Sequence, residues 1–473
     1  MSISSIPPDS SPPLPGDVDR RSLGRGACLA LVLGNIVGIG IFLTPGGVAR
    51  ASENLWVYGM FWILGGLVAL AGALVYAELG TLHPRAGGEY VFLDQAYGRP
   101  VAYAWGWMSA LIVFPGSIAA LFIWVAGALS STRFGQFLNL PVFSIGEYRF
   151  LWSDAAAMTL VWLTTAINCR SVRATSWLQT VLTWIPLSVL LVAGVTTIAT
   201  GGSLPPSNLP DSVIATPSAG DLSAAFCKVF WAYTGWNVLV YLGGEIKRPE
   251  KNIPTAVVLA LAATLSVYLL LNLAFLSAFP LQKLPSIDNV GLATAERMFG
   301  PLGGEVFAVV ITLAAIAGMN VTTMAGSRIS LAMARDGYLW RKMAWVHPRR
   351  HTPVVALLIQ GGLSSLLVLT KSADMLITVT GSVMLLLSCV TVSTLFVFRR
   401  RKTAVAHYRA FGFPFLPAFF ILVGALVIGA GLTAESRTTL IGLALFLALM
   451  AANYLSNRIK NRPRPTISAA GPR

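Results

Sequence analysis

Two glycine-interrupted apolar stretches hold the residues whose types and spacing could do chemistry. The first is Gly34-Asn35-Ile36-Val37-Gly38-Ile39-Gly40-Ile41-Phe42, inside the apolar run 28–48. The second is Trp231-Ala232-Tyr233-Thr234-Gly235-Trp236-Asn237, inside the run 222–244. A helix that unwinds in hydrocarbon leaves backbone N–H and C=O groups unpaired, and this is tolerated only where they line a cavity. Broken segments at matching positions of two halves therefore point to non-covalent binding near the middle of a membrane. Taken singly, Gly34 and Gly38 fit a small-xxx-small helix contact and Trp231 an interfacial aromatic. Their joint placement in both halves favours binding.

Few other side chains offer chemistry. An ionisable residue inside a span is a functional candidate, and Lys228, one turn before Trp231, is the one that qualifies. It either snorkels to the outer interface or stands as a cation in an outer vestibule. None of the 19 acids is expected at mid-membrane; Glu78 and Glu245 fall near cytoplasmic ends. His83, His347, His351 and His407 all fall in loops. With no paired central carboxylates, metal-ligand cluster or nucleophile–base pair, an enzyme is not expected and no cofactor is implied. Neither a symmetric filter nor a charged ring suggests a channel.

The elements that must position these residues follow from composition. The 473 residues are 55% hydrophobic and 11% charged, with a mean hydropathy of +0.70. A soluble chain of this size carries about a quarter charged residues. Apolar runs near the length of a bilayer crossing fall at 27–49, 55–80, 101–128, 154–171, 176–199, 222–244, 254–279, 304–331, 353–370, 374–397, 413–432 and 438–456. Twelve transmembrane helices are thus expected in an all-α integral membrane protein. The broken segments open spans 1 and 6, so spans 1–5 and 6–10 form a five-helix repeat inverted across the membrane, with two peripheral helices. Residues 1–24 read as a disordered cytoplasmic tail, 25–456 as the membrane domain and 457–473 as a basic cytoplasmic tail.

The net charge of +15 follows the membrane rather than a nucleic acid. With the N-terminus inside, 26 of the 34 Lys and Arg fall in cytoplasmic segments, seven outside, and Lys228 within a span. That asymmetry places both ends in the cytoplasm of a multi-pass cell-membrane protein. Cys28, Cys169, Cys227 and Cys389 lie in or at the ends of spans, so no outside loop offers a disulfide to a partner chain.

Four ordered motifs now carry a resemblance. They are Gly38-Ile39-Gly40-Ile41-Phe42 with Thr44-Pro45; Tyr76-Ala77-Glu78-Leu79-Gly80 with Pro84, Gly87-Gly88-Glu89-Tyr90 and Ala96-Tyr97-Gly98; span 6 with Glu245, Pro249, Glu250, Asn252 and Pro254; and Ser327-Arg328 with Met333-Ala334-Arg335-Asp336-Gly337. The chain resembles the amino acid–polyamine–organocation superfamily, in the branch of the L-type amino acid transporters and their bacterial relatives. That resemblance implies a carboxylate nest of backbone N–H groups at Gly38, Ile39 and Gly40, aided by the positive end of the next half-helix. It implies ammonium binding by the carbonyls of Trp231, Ala232 and Thr234, with Asn237 as a polar contact. Trp231 matches an aromatic outer gate, and Glu78, Glu245 and the segment 328–337 lie near the inner path.

Two departures qualify the resemblance. Ile39 stands where relatives usually have a small residue, often serine, which keeps the N–H and loses a hydroxyl. Pro186 stands where many relatives carry a span 5 lysine used in coupling. The resemblance also allows a sodium site built on Thr322 and Thr323 of span 8, although such hydroxyls usually bond a nearby backbone. The residue after Ala232-Tyr233 is Thr234 rather than an acid, which favours a neutral amino acid over a cationic one. The expectation is secondary transport of neutral L-amino acids by alternating access, as exchange or uniport. The alternatives are sodium or proton symport, and a ligand-binding sensor of the same fold without transport. No heavy chain joined by a disulfide is expected.

Overall fold

The computed structural model describes residues 23–38, 40–82, 87–170, 172–200, 217–401, 408–433 and 437–460. Its helices are α1 Arg25–Ile36, α2 Gly40–Leu43, α3 Pro45–Arg50, α4 Leu55–Leu82, α5 Glu89–Tyr97, α6 Arg99–Met108, α7 Phe114–Ser130 and α8 Trp152–Asn168. They continue with α9 Val172–Thr200, α10 Ala219–Tyr233, α11 Val238–Tyr241, α12 Pro249–Ala278, α13 Val290–Arg335, α14 Val354–Val368, α15 Ala373–Arg401, α16 Phe415–Thr433 and α17 Arg437–Lys460. Among the described residues, eight helical segments are long and apolar enough to cross a bilayer. Helices Val354–Val368 and Leu440–Leu455 are apolar but shorter.

Helices broken where the sequence breaks occupy the centre. The face of α1 carrying Cys28, Leu31 and Val32 is fully buried, and α1 packs on α9, α12 and α13. By contrast α16 leaves Leu422 and Leu426 more than half exposed, as a lipid-facing helix would. Between α6 and α7 the helix widens into a π-turn at Ser109–Val113. Pro115 accounts for it: the ring has no N–H to give and would strike the carbonyl four residues back.

Two expectations are corrected. The all-α reading misses a hairpin, β1 Pro141–Ile145 paired antiparallel with β2 Tyr148–Leu151. Its turn is made by Gly146 at φ 60° and Glu147, a signal hidden in a loop between two apolar runs. Ahead of α1, Leu23 is buried and pairs with the chain beyond α11. At the other end α17 runs to Lys460. The eighth run also begins earlier, since α13 starts at Val290 and bends at Gly300, whose φ is 73°. The tail residues 1–22 and 461–473, with His83, His407 and Ile39, lie outside the described residues.

Candidate functional site

The two interruptions meet. Helix α1 stops at Ile36 and Val37 takes φ −76°, ψ 75°, so the helical ladder cannot continue. Helix α10 stops at Tyr233, followed by Thr234 in an extended conformation and Gly235 at φ 113°. A side chain at 235 would be strained by that φ, and its Cβ would fall 2.7 Å from the Asn35 amide nitrogen. The contact is reciprocal: Asn35 Nδ2 donates to the Gly235 carbonyl at 3.1 Å. On the other flank a Cβ on Gly40 would lie 2.7 Å from Ala232 Cα, so the two chains touch backbone to backbone.

Carbonyls freed by the unwinding find a partner from a third helix. Tyr268 Oη of α12 lies 2.7 Å from the Ile36 carbonyl and 2.8 Å from that of Ala232. The sequence reading missed Tyr268; the signal is a single polar-tipped aromatic in the leucine-rich middle of an apolar run. Asn35 was also missed as a site residue, although it stands in the first motif. Its Oδ1 accepts from Thr322 Oγ1 at 3.0 Å, which ties α13 to both interruptions.

One cavity collects most of the expected residues. Gly38, Gly40, Trp231, Ala232, Thr234, Asn237 and Thr322 line it, with Asn35 and Ile36. Trp105 of α6, Ser109 of the π-turn and Ser117 of α7, with Met384 and Ser388 from α15, close the other walls. Trp231 is 7% exposed, and its carbonyl accepts from Thr234 N at 3.1 Å and Thr234 Oγ1 at 2.6 Å. Thr323 does not line the cavity; its hydroxyl is buried without a partner.

The cavity wall contains no Lys, Arg or His among the described residues, and its single acid is Glu89. This corrects the expectation that no acid reaches the centre. Glu89 begins α5, outside the apolar runs, and sequence alone assigned it to a connecting segment. Gly87 at φ 116° and Gly88 at φ 49° turn the chain back inward, and any side chain at 88 would collide with the Tyr241 ring. Glu89 is 2% exposed; its Oε1 accepts from Asn237 Nδ2 at 3.1 Å, while Oε2 has no partner. Asn237 Nδ2 also lies 2.9 Å from Tyr241 Oη. Burial pushes the Glu89 carboxyl up to about 7, against the opposing pull of the nearby Tyr241 and Tyr76 hydroxyls and the Asn237 amide.

The remaining expected residues stand apart from the cavity. Glu78 is 2% exposed and accepts a forked pair from Arg399, Nη2 to Oε2 at 2.6 Å and Nε to Oε1 at 3.0 Å. It also accepts from Ala410 N at 2.7 Å. Glu245 pairs with Arg328 Nη2 at 3.2 Å. Tyr90 Oη donates to Asp336 Oδ2 at 2.7 Å and joins α5 to the end of α13. Lys228 is ion-paired: its Nζ lies 2.8 Å from Asp374 Oδ1 at the start of α15.

Behind α1 runs a chain of neutral polar groups. Asn168 Nδ2 donates to Asn320 Oδ1 at 2.8 Å, and Asn320 Nδ2 to Gln179 Oε1 at 3.0 Å. Gln179 Nε2 donates to Thr183 Oγ1 at 3.2 Å, and Thr183 Oγ1 to the Ala30 carbonyl at 3.1 Å. All four side chains are buried. A Cβ on Gly34 would collide with Thr183 and Gln179, so this glycine serves packing.

A sequence profile described as amino acid permease matches residues 23–452. The Asc-type amino acid transporter 1 of Mus musculus is 29% identical over 450 residues, covering 94% of this chain and 83% of that protein. The large neutral amino acids transporter small subunit 2 of Homo sapiens is 28% identical over 455 residues, covering 94% and 82%. The serine/threonine exchanger SteT of Bacillus subtilis (strain 168) is 28% identical over 444 residues, covering 92% and 96%.

Proposed function

Because the chain belongs to the amino acid permease family, we propose that it carries neutral L-amino acids across the cell membrane by alternating access, as exchange or uniport. The observation that carries this reading is the convergence of both helix interruptions on one cavity with no cationic side chain in its wall. An α-carboxylate entering such a cavity has main-chain N–H groups as its partners, at Gly38, Ile39 and Gly40. The ammonium faces the carbonyls of Trp231, Ala232 and Thr234. The Ala232 carbonyl, bonded to Tyr268, keeps a second lone pair, whereas the Trp231 carbonyl already accepts twice from Thr234 and would exchange one of those bonds for the ammonium. Asn237 contributes an amide, and Trp231 closes the outer path.

The relatives named for large neutral amino acids and for serine and threonine support the neutral class. The word exchanger in the name of the bacterial relative supports exchange. Thr322 donates its hydroxyl to Asn35 and the Gly318 carbonyl, and Lys228 is held by Asp374, so each has a protein partner in this structure. The architecture that goes with this function is twelve membrane spans, with an inverted repeat of spans 1–5 and 6–10. Both termini face the cytoplasm, and the Glu78–Arg399 and Glu245–Arg328 pairs lie along the inner path. No heavy chain linked by a disulfide is required.

The test is uptake of radiolabelled neutral amino acids into proteoliposomes, with and without internal amino acid and with sodium or proton gradients. Uptake that needs internal substrate marks an exchanger, and equilibration without it a uniporter. Accumulation in empty vesicles driven by sodium would overturn both and return Thr322 and Thr323 to consideration. Silence from folded protein across the whole panel would leave the ligand sensor.

A further inference from the structure

Glu89 is the one charged residue in the cavity wall, and the transport reading gives it no part. Its surroundings do not suit a carboxylate. Facing it are Asn237 and the phenols of Tyr76 from α4 and Tyr241 from α11; α15 contributes Leu387 and Ser388 to the same cavity. Among the described residues no Lys, Arg or His pairs with it. A buried charge without a counter-charge costs several kcal/mol. The neutral acid fits better. Its O–H would be a donor beside the Tyr76 hydroxyl, which interacts electrostatically with Glu89 and has no partner of its own.

We propose that Glu89 is a proton-binding site in the substrate cavity, protonated while the cavity is shut and titrating when water from the cytoplasm reaches it. In the shut cavity the carboxyl keeps its proton; on opening, O–H breaks and the proton passes to water, leaving a hydrated carboxylate. The direction of the pH effect follows. The shut state binds the proton more tightly than the open one, so raising the pH penalises the shut state. Exchange must pass through that state, so its rate falls as the pH rises from the range of a hydrated carboxylate toward the value of the shut cavity, near 7, and levels off above it. This inference rests on the amino acid transport reading and adds to it a proton that cycles on the protein.

The experiment uses the full-length protein in proteoliposomes loaded with unlabelled serine. Exchange of labelled serine or leucine is followed as internal pH is stepped from about 5.5 to about 8.5, with external pH fixed. Wild-type exchange is expected to fall by up to about tenfold for each unit between about 5.5 and about 7, and to level off above that. In Glu89→Gln, which keeps the size and cannot ionise, the profile is expected to be flat at whatever rate remains. In Tyr241→Phe the carboxylate loses a donor, so the levelling-off should move to higher pH. An unchanged profile in a transporting Glu89→Gln protein overturns the proposal. If Glu89→Gln folds without transporting, serine binding is measured by calorimetry in buffers of different ionisation enthalpy. Proton uptake on binding by wild type at pH about 6, absent from the variant, supports the site, and equal uptake overturns it. Loss of lysine or arginine transport alone in the variant, with no change in pH profile, would make Glu89 a side-chain anchor and overturn the proposal. Wild-type exchange indifferent to pH sinks this inference alone, whereas folded wild type that exchanges no amino acid sinks the transport reading with it.

Discussion

Tyr268 holds one hydroxyl between two carbonyls that belong to different interrupted helices, and its proton can satisfy only one of them at a time. Phenylalanine there would leave both without that donor. The expected cost is about 1–3 kcal/mol, read as a lower melting temperature in detergent together with slower uptake. Glycines at the interruptions separate stability from binding. Gly235→Ala meets Asn35 at a φ that alanine avoids, so it should destabilise by about 1–2 kcal/mol. Gly38→Ala places its methyl where nothing lies within 4 Å, so it should melt like wild type yet bind amino acid more weakly. Thermal scans and binding isotherms of the pair check both expectations. At this scale the glycines, Trp231 and Asn237 were legible because flexible and polar residues are conspicuous in apolar sequence. Glu89 was not legible, because two positive-φ glycines fold it back from a segment that reads as a connecting loop. Tyr268 was hidden because one tyrosine among leucines reads as packing.

The chain of amides behind α1 shows how whole elements are held. Asn168, Asn320, Gln179 and Thr183 link α8, α13, α9 and α1 through groups that carry no charge. Pro186 sits in α9 about two turns from Gln179, where the expected lysine is absent. The neutral chain supplies cross-links at that side of α1 without an ion. Replacing Gln179 by leucine strands Asn320 and Thr183 and should cost about 1–3 kcal/mol. Adding Thr183→Val should cost less than the sum of the two changes, because both sit in one network. Denaturation midpoints of the single and double variants measure the coupling. Helix existence and approximate extent were readable from apolar run length, since a bilayer sets that length. The hairpin escaped, because two strands of four and five residues have too few positions to show a period.

Across the whole molecule, buried ion pairs stand well away from the cavity. Glu78 of α4 grips Arg399 at the end of α15 and the Ala410 amide, joining segments more than 300 residues apart. Glu78→Ala would strand the arginine, and a loss of about 3 kcal/mol is expected. The double change Glu78→Ala with Arg399→Ala should recover part of it, which a melting series would register. Elsewhere the first and sixth broken helices are stitched at a second level. Leu23 N donates to the Glu245 carbonyl at 3.0 Å, and Lys247 N to the Leu23 carbonyl at 2.9 Å. A two-bond clasp therefore makes one lever of the start of α1 and the exit of α11. Whatever grips or pulls the chain just ahead of residue 23 acts directly on the hinge beside the cavity. A fusion abutting Leu23 should throttle turnover even though it lies far from the substrate, whereas a spacer inserted before Leu23 should release the brake.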